Sequence, residues 1–181
     1  MQDAFDLLGL EPRFDLDRTA VDRAYFARSA RLHPDVAAGS PDAAREMAEL
    51  NKAKATLESP ERRADALLKR LGGPSREDHK VLPPGFLMEI MEVREAIESA
   101  VSSPDPVGKE RARAQWEDWA EEQRRAAMKE VGQLFAAAGG NPDREALAAI
   151  RTRLNAWRYI ERLIEQLDPA YDPARADFED R

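Results

Sequence analysis

Residues that interrupt helices divide this chain into a few long segments, and that division is the strongest constraint on its fold. Proline and glycine cluster at about 34–41, 72–85, 104–108 and 139–142, and both residues end or begin helices because of their backbone preferences. The segments between these clusters carry apolar residues three and four positions apart, which places them on one face of a helix. No useful length of sequence alternates as a strand does. The pattern therefore predicts an all-α protein.

The same breakers predict a compact N-terminal helical domain over residues 1–72, a linker over 73–83 and a C-terminal three-helix bundle over 84–181. In the bundle the helices are expected at about 84–102, 106–138 and 142–167, separated by connections short enough for antiparallel neighbours. In the N-terminal domain the expected helices are 4–8, Asp15 or Asp17 to about Leu32, Pro41 to about Ser59, and Pro60 to Gly72.

Composition restricts the possible partners. The chain has 181 residues, a net charge of −7 and no cysteine, which excludes disulfides, thiolate metal sites and cysteine nucleophiles. Residues 1–71 carry 12 basic and 13 acidic residues, whereas the remaining 110 carry 16 and 22. An acidic C-terminal half disfavours nucleic acid and anionic membranes as partners. The acidic start and the absence of a long apolar run predict a soluble, cytoplasmic protein.

One of the two histidines lies between two predicted helices. In "ARLHPDVAAGSP", residues 30–41, a basic segment ends at His33-Pro34-Asp35. Pro34 disfavours helical geometry at the residue before it, so His33 and Asp35 are expected to project from a loop; a histidine cation there could also favour the helix dipole. His79 lies in an expected flexible linker, and neither a catalytic nor a metal site is predicted.

This arrangement resembles the J-domain of DnaJ-type co-chaperones, a helical hairpin with a His-Pro-Asp loop. The agreement covers most of the N-terminal domain and departs at Lys54, where many J-domains carry tyrosine. It rests on "FDLLGL" (5–10), "YFARSARLHPD" (25–35) and "LNKAKATLESPERRA" (50–64).

The resemblance implies that His33, Pro34 and Asp35 stimulate ATP hydrolysis by a heat-shock chaperone of the DnaK or HscA class. It also implies that the basic helix before the loop docks on an acidic surface of that chaperone. The candidate residues are Arg23, Tyr25, Arg28 and Arg31, with Phe26 adjacent. The three arginines are expected to share one broad flank of the helix, and a merely solvated charged face is the alternative.

The stretch "FLMEIMEVREAIESAV", residues 86–101, has more apolar surface than one buried face requires. Five residues at helical spacing would seat it in the bundle: Phe86, Ile90, Val93, Ile97 and Val101. Leu87, Met88 and Met91 lie on the far side or its shoulder, with Glu92 and Glu95 beside them. Two explanations stay open: a second buried face, or an exposed patch that binds a partner.

"RADALLKRLGG", a loop and "FLMEIMEVREAIE" together resemble the HscB family of iron–sulfur co-chaperones, closely through residue 98 and loosely beyond. The resemblance implies that the bundle binds a scaffold protein through Leu87, Met88, Met91, Glu92, Glu95 and Tyr159. Ser99 occupies a position where an acid is expected, so one polar contact is expected to be missing. Taken alone, Tyr159 would be a tyrosine on the shoulder of the bundle with its hydroxyl in water.

The implied function is that of an adaptor without a cofactor, metal or chemistry of its own. Its bundle would hold an IscU-type iron–sulfur scaffold while its J-domain stimulates a DnaK/HscA-class ATPase. One alternative is a J-domain protein that presents a different client. Another is a helical enzyme with a carboxylate site at Glu92, Glu95 and Glu98, which no metal-ligand spacing supports.

Overall fold

The computed structural model describes residues 3–32, 41–102 and 104–167. Within these ranges it contains seven α-helices and no β-strand, which confirms the all-α prediction. In chain order they are α1 (Ala4–Leu8), α2 (Arg18–Ser29), α3 (Pro41–Glu58), α4 (Pro60–Arg70), α5 (Phe86–Val101), α6 (Pro106–Ala138) and α7 (Arg144–Leu167). No helix in the described part of the chain combines the length and apolar character needed to cross a bilayer.

Side-chain caps begin several of these helices. The Asp17 carboxylate accepts a hydrogen bond from the backbone N–H of Thr19 (3.0 Å) at the start of α2. The Ser59 hydroxyl accepts one from the N–H of Arg62 (3.3 Å) ahead of α4. Asp105 caps α6 in the same way. Because each cap satisfies backbone donors that have no partner within the helix, these starts are visible in the sequence.

Three helix ends differ from the expected ones. Helix α2 ends at Ser29, whereas the apolar pattern extends to about Leu32. Helix α5 begins at Phe86 rather than at 84, because Gly85 adopts a left-handed conformation with φ of 81°. Helix α7 begins at Arg144 rather than at 142.

The N-terminal helices pack around a small apolar core. Helices α1 and α2 both contact α3, and the buried side chains that fill the space between them are Phe5, Leu8, Leu16, Val21, Leu50, Ala53 and Leu57. Burial of this apolar area is the main force that holds three short helices together.

The bundle contains α5, α6 and α7, with the most extensive contact between α6 and α7. Helix α5 lies on this pair through Ile90 and Ile97, which are buried against Ala120, Leu163 and Leu167. The prediction of a three-helix bundle in the C-terminal part is confirmed. Helix α5 therefore has one face in the core and an opposite face directed away from it.

A second apolar core joins the bundle to the N-terminal domain. Ala64 and Leu68 of α4 are fully buried against residues of α6 and α7, among them Trp157. Phe14, in the segment between α1 and α2, stacks on Phe135 with ring centroids 5.7 Å apart and meets Trp157 edge-on at 6.5 Å. The two units therefore share an apolar core and are not connected by the linker alone.

Polar contacts fix the linker to α7. The Arg151 side chain is 3% exposed; its Nε donates to the carbonyl oxygen of Pro74 (2.9 Å), and its Nη2 lies 2.7 Å from the Asp65 carboxylate in α4. One turn later, Asn155 Nδ2 donates to the carbonyl oxygens of His79 (2.8 Å) and Val81 (3.0 Å).

The expectation that His79 lies in a flexible linker is therefore wrong. Its Nε2 is 3.0 Å from the Thr152 hydroxyl, and its carbonyl is bonded to Asn155. The polar backbone of this linker finds partners on α7, which a sequence without tertiary information does not reveal.

We expect Arg151→Ala to lower the free energy of unfolding by about 2 kcal/mol, because it removes a buried guanidinium that donates to the partly buried Pro74 carbonyl and pairs with Asp65. Urea unfolding followed by circular dichroism measures this. Arg153→Ala is the matched control, because Arg153 is 45% exposed and pairs with Glu130 at 3.3 Å on the surface; it should change stability by less than about 0.5 kcal/mol. Equal effects of the two substitutions would show that the junction at Arg151 contributes little.

Candidate functional site

Helix α5 presents three large apolar side chains to solvent. Leu87 is 50% exposed, Met88 72% and Met91 54%, while Ile90 and Ile97 occupy the core on the opposite face. Of the two explanations for the extra apolar surface, the structure supports the exposed patch, since no described helix covers these residues. A contiguous exposed group of this kind is typical of an interaction surface.

Carboxylates lie beside the apolar group. Glu92 and Glu95 are both exposed and follow Met88 by four and seven residues, so they stand on the same side of α5. Arg94 on this helix pairs with Glu98, with Nε and Oε1 2.8 Å apart. The exposed side of α5 therefore offers a partner apolar contacts flanked by negative charge.

Tyr159 of α7 lies next to the start of α5. Its ring meets that of Phe86 edge-on, with centroids 6.0 Å apart, and it is among the exposed large apolar side chains. The structure thus brings Tyr159 to the same end of the bundle as Leu87 and Met88. We call the surface formed by Leu87, Met88, Met91, Glu92, Glu95 and Tyr159 the α5–α7 patch.

The predicted loop residues His33, Pro34 and Asp35 lie outside the described residues. The helix that precedes them, α2, is described, and Arg23 and Phe26 are exposed on it; Arg31 is exposed in the turn after it. Arg23 also bonds its own helix through Nε and the Thr19 carbonyl (3.2 Å).

Arg28 is exposed, as Arg23 is, and its side chain also reaches the end of α1. Its guanidinium lies over Gly9 at the end of α1, so close that a Cβ atom on Gly9 would overlap Nη2. Residues five apart on a helix are about 140° apart around its axis. Arg28 is therefore well separated from Arg23 around the helix axis, and its guanidinium lies at the carbonyl end of α1, where a positive charge is favourable.

Tyr25 fastens α2 to α3. Its hydroxyl donates to Oδ1 of Asn51 (2.7 Å), and the Lys54 ammonium lies 5.4 Å from its ring centroid. Lys54 also contacts Glu58 (2.6 Å) and Asp22 (3.0 Å), and these two carboxylates raise the pKa of its ammonium. Lys54, which departs from the J-domain pattern, therefore links α3 to α2 through its ion pair with Asp22.

Phe26 is a candidate docking residue that the sequence pattern does not single out. It is adjacent to the arginines in sequence, and it is the large apolar residue that α2 presents to solvent. Its ring meets that of Tyr25 edge-on, with centroids 5.6 Å apart. An aromatic residue at a helical position outside the apolar stripe was the available signal.

The carboxylates of the enzyme alternative form no metal site. Glu92, Glu95 and Glu98 are all exposed, and the described residues contain no group of three or more acidic, histidine or cysteine side chains able to hold an ion. The features brought together on α5 are suited to protein contact.

Two family models match this chain. One, described as a DnaJ domain, matches residues 3–65; the other, described as an HSCB C-terminal oligomerisation domain, matches residues 82–168. The two matches fall on the N-terminal helices and on the bundle, in the order that the sequence resemblances predict.

Curated relatives and solved structures agree with these models. A co-chaperone protein HscB homolog of Burkholderia multivorans is 32% identical over 90% of both chains. The mitochondrial J-type co-chaperone jac1 of Schizosaccharomyces pombe is 34% identical over 85% of this chain, a match that spans 65% of that protein. The chaperone HscB of Vibrio cholerae superposes with a TM-score of 0.71 and 27% identity, covering 98% of this chain and 99% of that one. The cytoplasmic location stays a prediction, since one relative is mitochondrial.

We expect Met88→Ala and Met91→Ala to leave the free energy of unfolding within about 0.5 kcal/mol of the unsubstituted protein, because exposed side chains contribute little to the core. Ile97→Ala, on the buried face of the same helix, should cost about 2–5 kcal/mol. Urea titrations of the three variants make the comparison. Destabilisation by Met88→Ala as large as that by Ile97→Ala would mean that the α5–α7 patch is covered.

Proposed function

Because this chain belongs to the HscB family of J-type co-chaperones, we propose that it links two partners. One is an ATPase chaperone of the DnaK/HscA class, whose ATP hydrolysis it stimulates. The other is an IscU-type iron–sulfur scaffold protein, which it delivers to that chaperone. Hydrolysis takes place in the chaperone, and the co-chaperone acts by making contacts that favour one state of its partner over another.

The observation that carries the proposal is the α5–α7 patch. It presents exposed methionine, leucine and tyrosine side chains beside two carboxylates. Methionine side chains adapt to irregular surfaces because they are unbranched and polarisable. Tyrosine supplies a large contact area with a polar end. Such a surface suits a folded protein client with an apolar surface and basic groups at its edge.

The chaperone is expected to meet the N-terminal domain. His33, Pro34 and Asp35 are proposed as the stimulating loop, with Asp35 accepting a charge-assisted hydrogen bond from a chaperone arginine. The exposed residues of this region are Arg23, Phe26 and Arg28 on α2 and Arg31 in the turn after it, and we propose them as docking residues. Tyr25, whose hydroxyl bonds Asn51 of α3, is proposed to act by holding α2 in position.

The rigid junction supports a coupled function. Arg151 and the apolar core around Leu68 and Trp157 hold α4, the linker and α7 as one body. Two partners bound to this body would be kept at a constant distance and orientation, which converts their meeting into an intramolecular step.

The client half of the proposal is tested with purified scaffold protein and calorimetry. The double substitution Met88→Ala and Met91→Ala should raise the Kd at least about tenfold, because it removes apolar anchors from the centre of the contact. Val107→Ala is the matched control, since Val107 is exposed to a similar extent at the start of α6. No complex with the unsubstituted protein would indicate a different client. An unchanged Kd in the double variant would remove the patch from the interface.

The chaperone half is tested by ATP hydrolysis in a DnaK/HscA-class chaperone. His33→Gln should abolish the stimulation with little change in helicity, because the sequence predicts that His33 lies outside the helices. The same assay with and without scaffold protein should show synergy, since both partners are held together. Retained stimulation in His33→Gln would contradict the assignment of a J-domain loop.

A further inference from the structure

A groove of about 300 Å³ lies between the linker and α7. Four basic side chains line it: Arg76, Lys80, Arg158 and Arg162. Tyr159 also lines the groove, so this residue is common to the groove and to the α5–α7 patch. The resemblance to known families directs no attention to these basic residues.

Carboxylates lie close to several of these basic side chains. Glu77 is in its lining. Arg76 lies 3.5 Å from Glu61, and Arg158 lies 3.1 Å from Glu165. Lys80 and Arg162 are exposed, where they can meet a bound partner.

The groove is held in shape before any partner binds. One wall is the linker, whose carbonyl groups at His79 and Val81 accept hydrogen bonds from Asn155. The other wall is α7, where Asn155 is 6% exposed. Because the backbone of this site is already ordered, binding has a smaller conformational-entropy cost than it would at a disordered segment.

We infer that this groove binds a carboxylate-bearing segment of the same client that the α5–α7 patch holds. The inference rests on the proposed function, because it takes the client to be the scaffold protein. Glu92 and Glu95 are exposed on α5, whose first residue contacts Tyr159. Lys80 and Arg162 line the groove together with that tyrosine. A client seated across both needs basic groups toward α5 and acidic groups toward the groove. Two charges of opposite sign set one orientation of the client and reject the reverse one.

The test is a double charge reversal at the exposed rim of the groove, Lys80→Glu with Arg162→Glu. The matched control is Lys109→Glu with Arg111→Glu, which makes the same change in net charge at the start of α6 with two exposed residues. Affinity for the scaffold protein is measured by calorimetry from about 50 mM to about 300 mM salt, where exposed charges become screened.

The groove variant should bind about fivefold more weakly or worse at the low salt concentration and converge on the unsubstituted protein at the high one, since screened rim charges act through electrostatic attraction. The control should retain the affinity and salt dependence of the unsubstituted protein. Equal affinity and equal salt dependence in the groove variant would overturn the inference. So would an equal loss in the control, because net charge would then be the cause.

A direct measurement uses carbodiimide, which joins a lysine amine to a carboxylate in contact with it. The complex should yield a link between Lys80 and an aspartate or glutamate of the client, identified by mass spectrometry and absent with Lys80→Arg. A complex that forms without this link would overturn the inference and leave the proposed function intact. Failure of the proposed function is distinct, since the unsubstituted protein would then bind no scaffold at all.

Discussion

The arrangement of the described helices depends on the contacts that α7 makes with the linker and with α4. Arg151 is almost completely buried, and its guanidinium reaches both the Pro74 carbonyl and the Asp65 carboxylate. Asn155 continues the same row of contacts one turn further along. A buried guanidinium is tolerated only when its donors are used, so these contacts define one position of the N-terminal domain relative to the bundle. The groove beside Tyr159 exists only because the linker is held there.

Helix α5 divides its apolar residues between stability and binding. Ile90 and Ile97 fill the bundle core, while Leu87 and Met88 remain in solvent. An apolar surface left in water contributes nothing to folding and favours association. The α5–α7 patch is thus the part of the bundle whose composition the fold does not explain, and we propose that a partner covers it. In that proposal the basic groove next to the patch gives the partner a second, electrostatic contact.

On helix α2, a residue's place in the family pattern does not determine which contacts its side chain makes. Arg28 and Tyr25 belong to the segment that resembles a J-domain, and both were expected to contact the chaperone. In the structure Arg28 lies over the end of α1 and Tyr25 donates to Asn51. Phe26, between them in sequence, is the large apolar residue that α2 presents to solvent. The spacing of two residues along a helix gives the angle between them. The packing of the helix against its neighbours decides which side chains make contacts within the protein.

The sequence by itself determined the class of fold, the order of the helices and most of their ends, because caps, prolines and glycines act on the backbone within a few residues of themselves. It also distinguished the extra apolar side of α5 from the side that enters the core, since helical periodicity separates the two. Only the tertiary structure decided that this extra side is uncovered, that Tyr159 stands next to it, and that the linker is fastened to α7. These facts depend on contacts between residues far apart in the chain, and no local pattern encodes which surfaces meet.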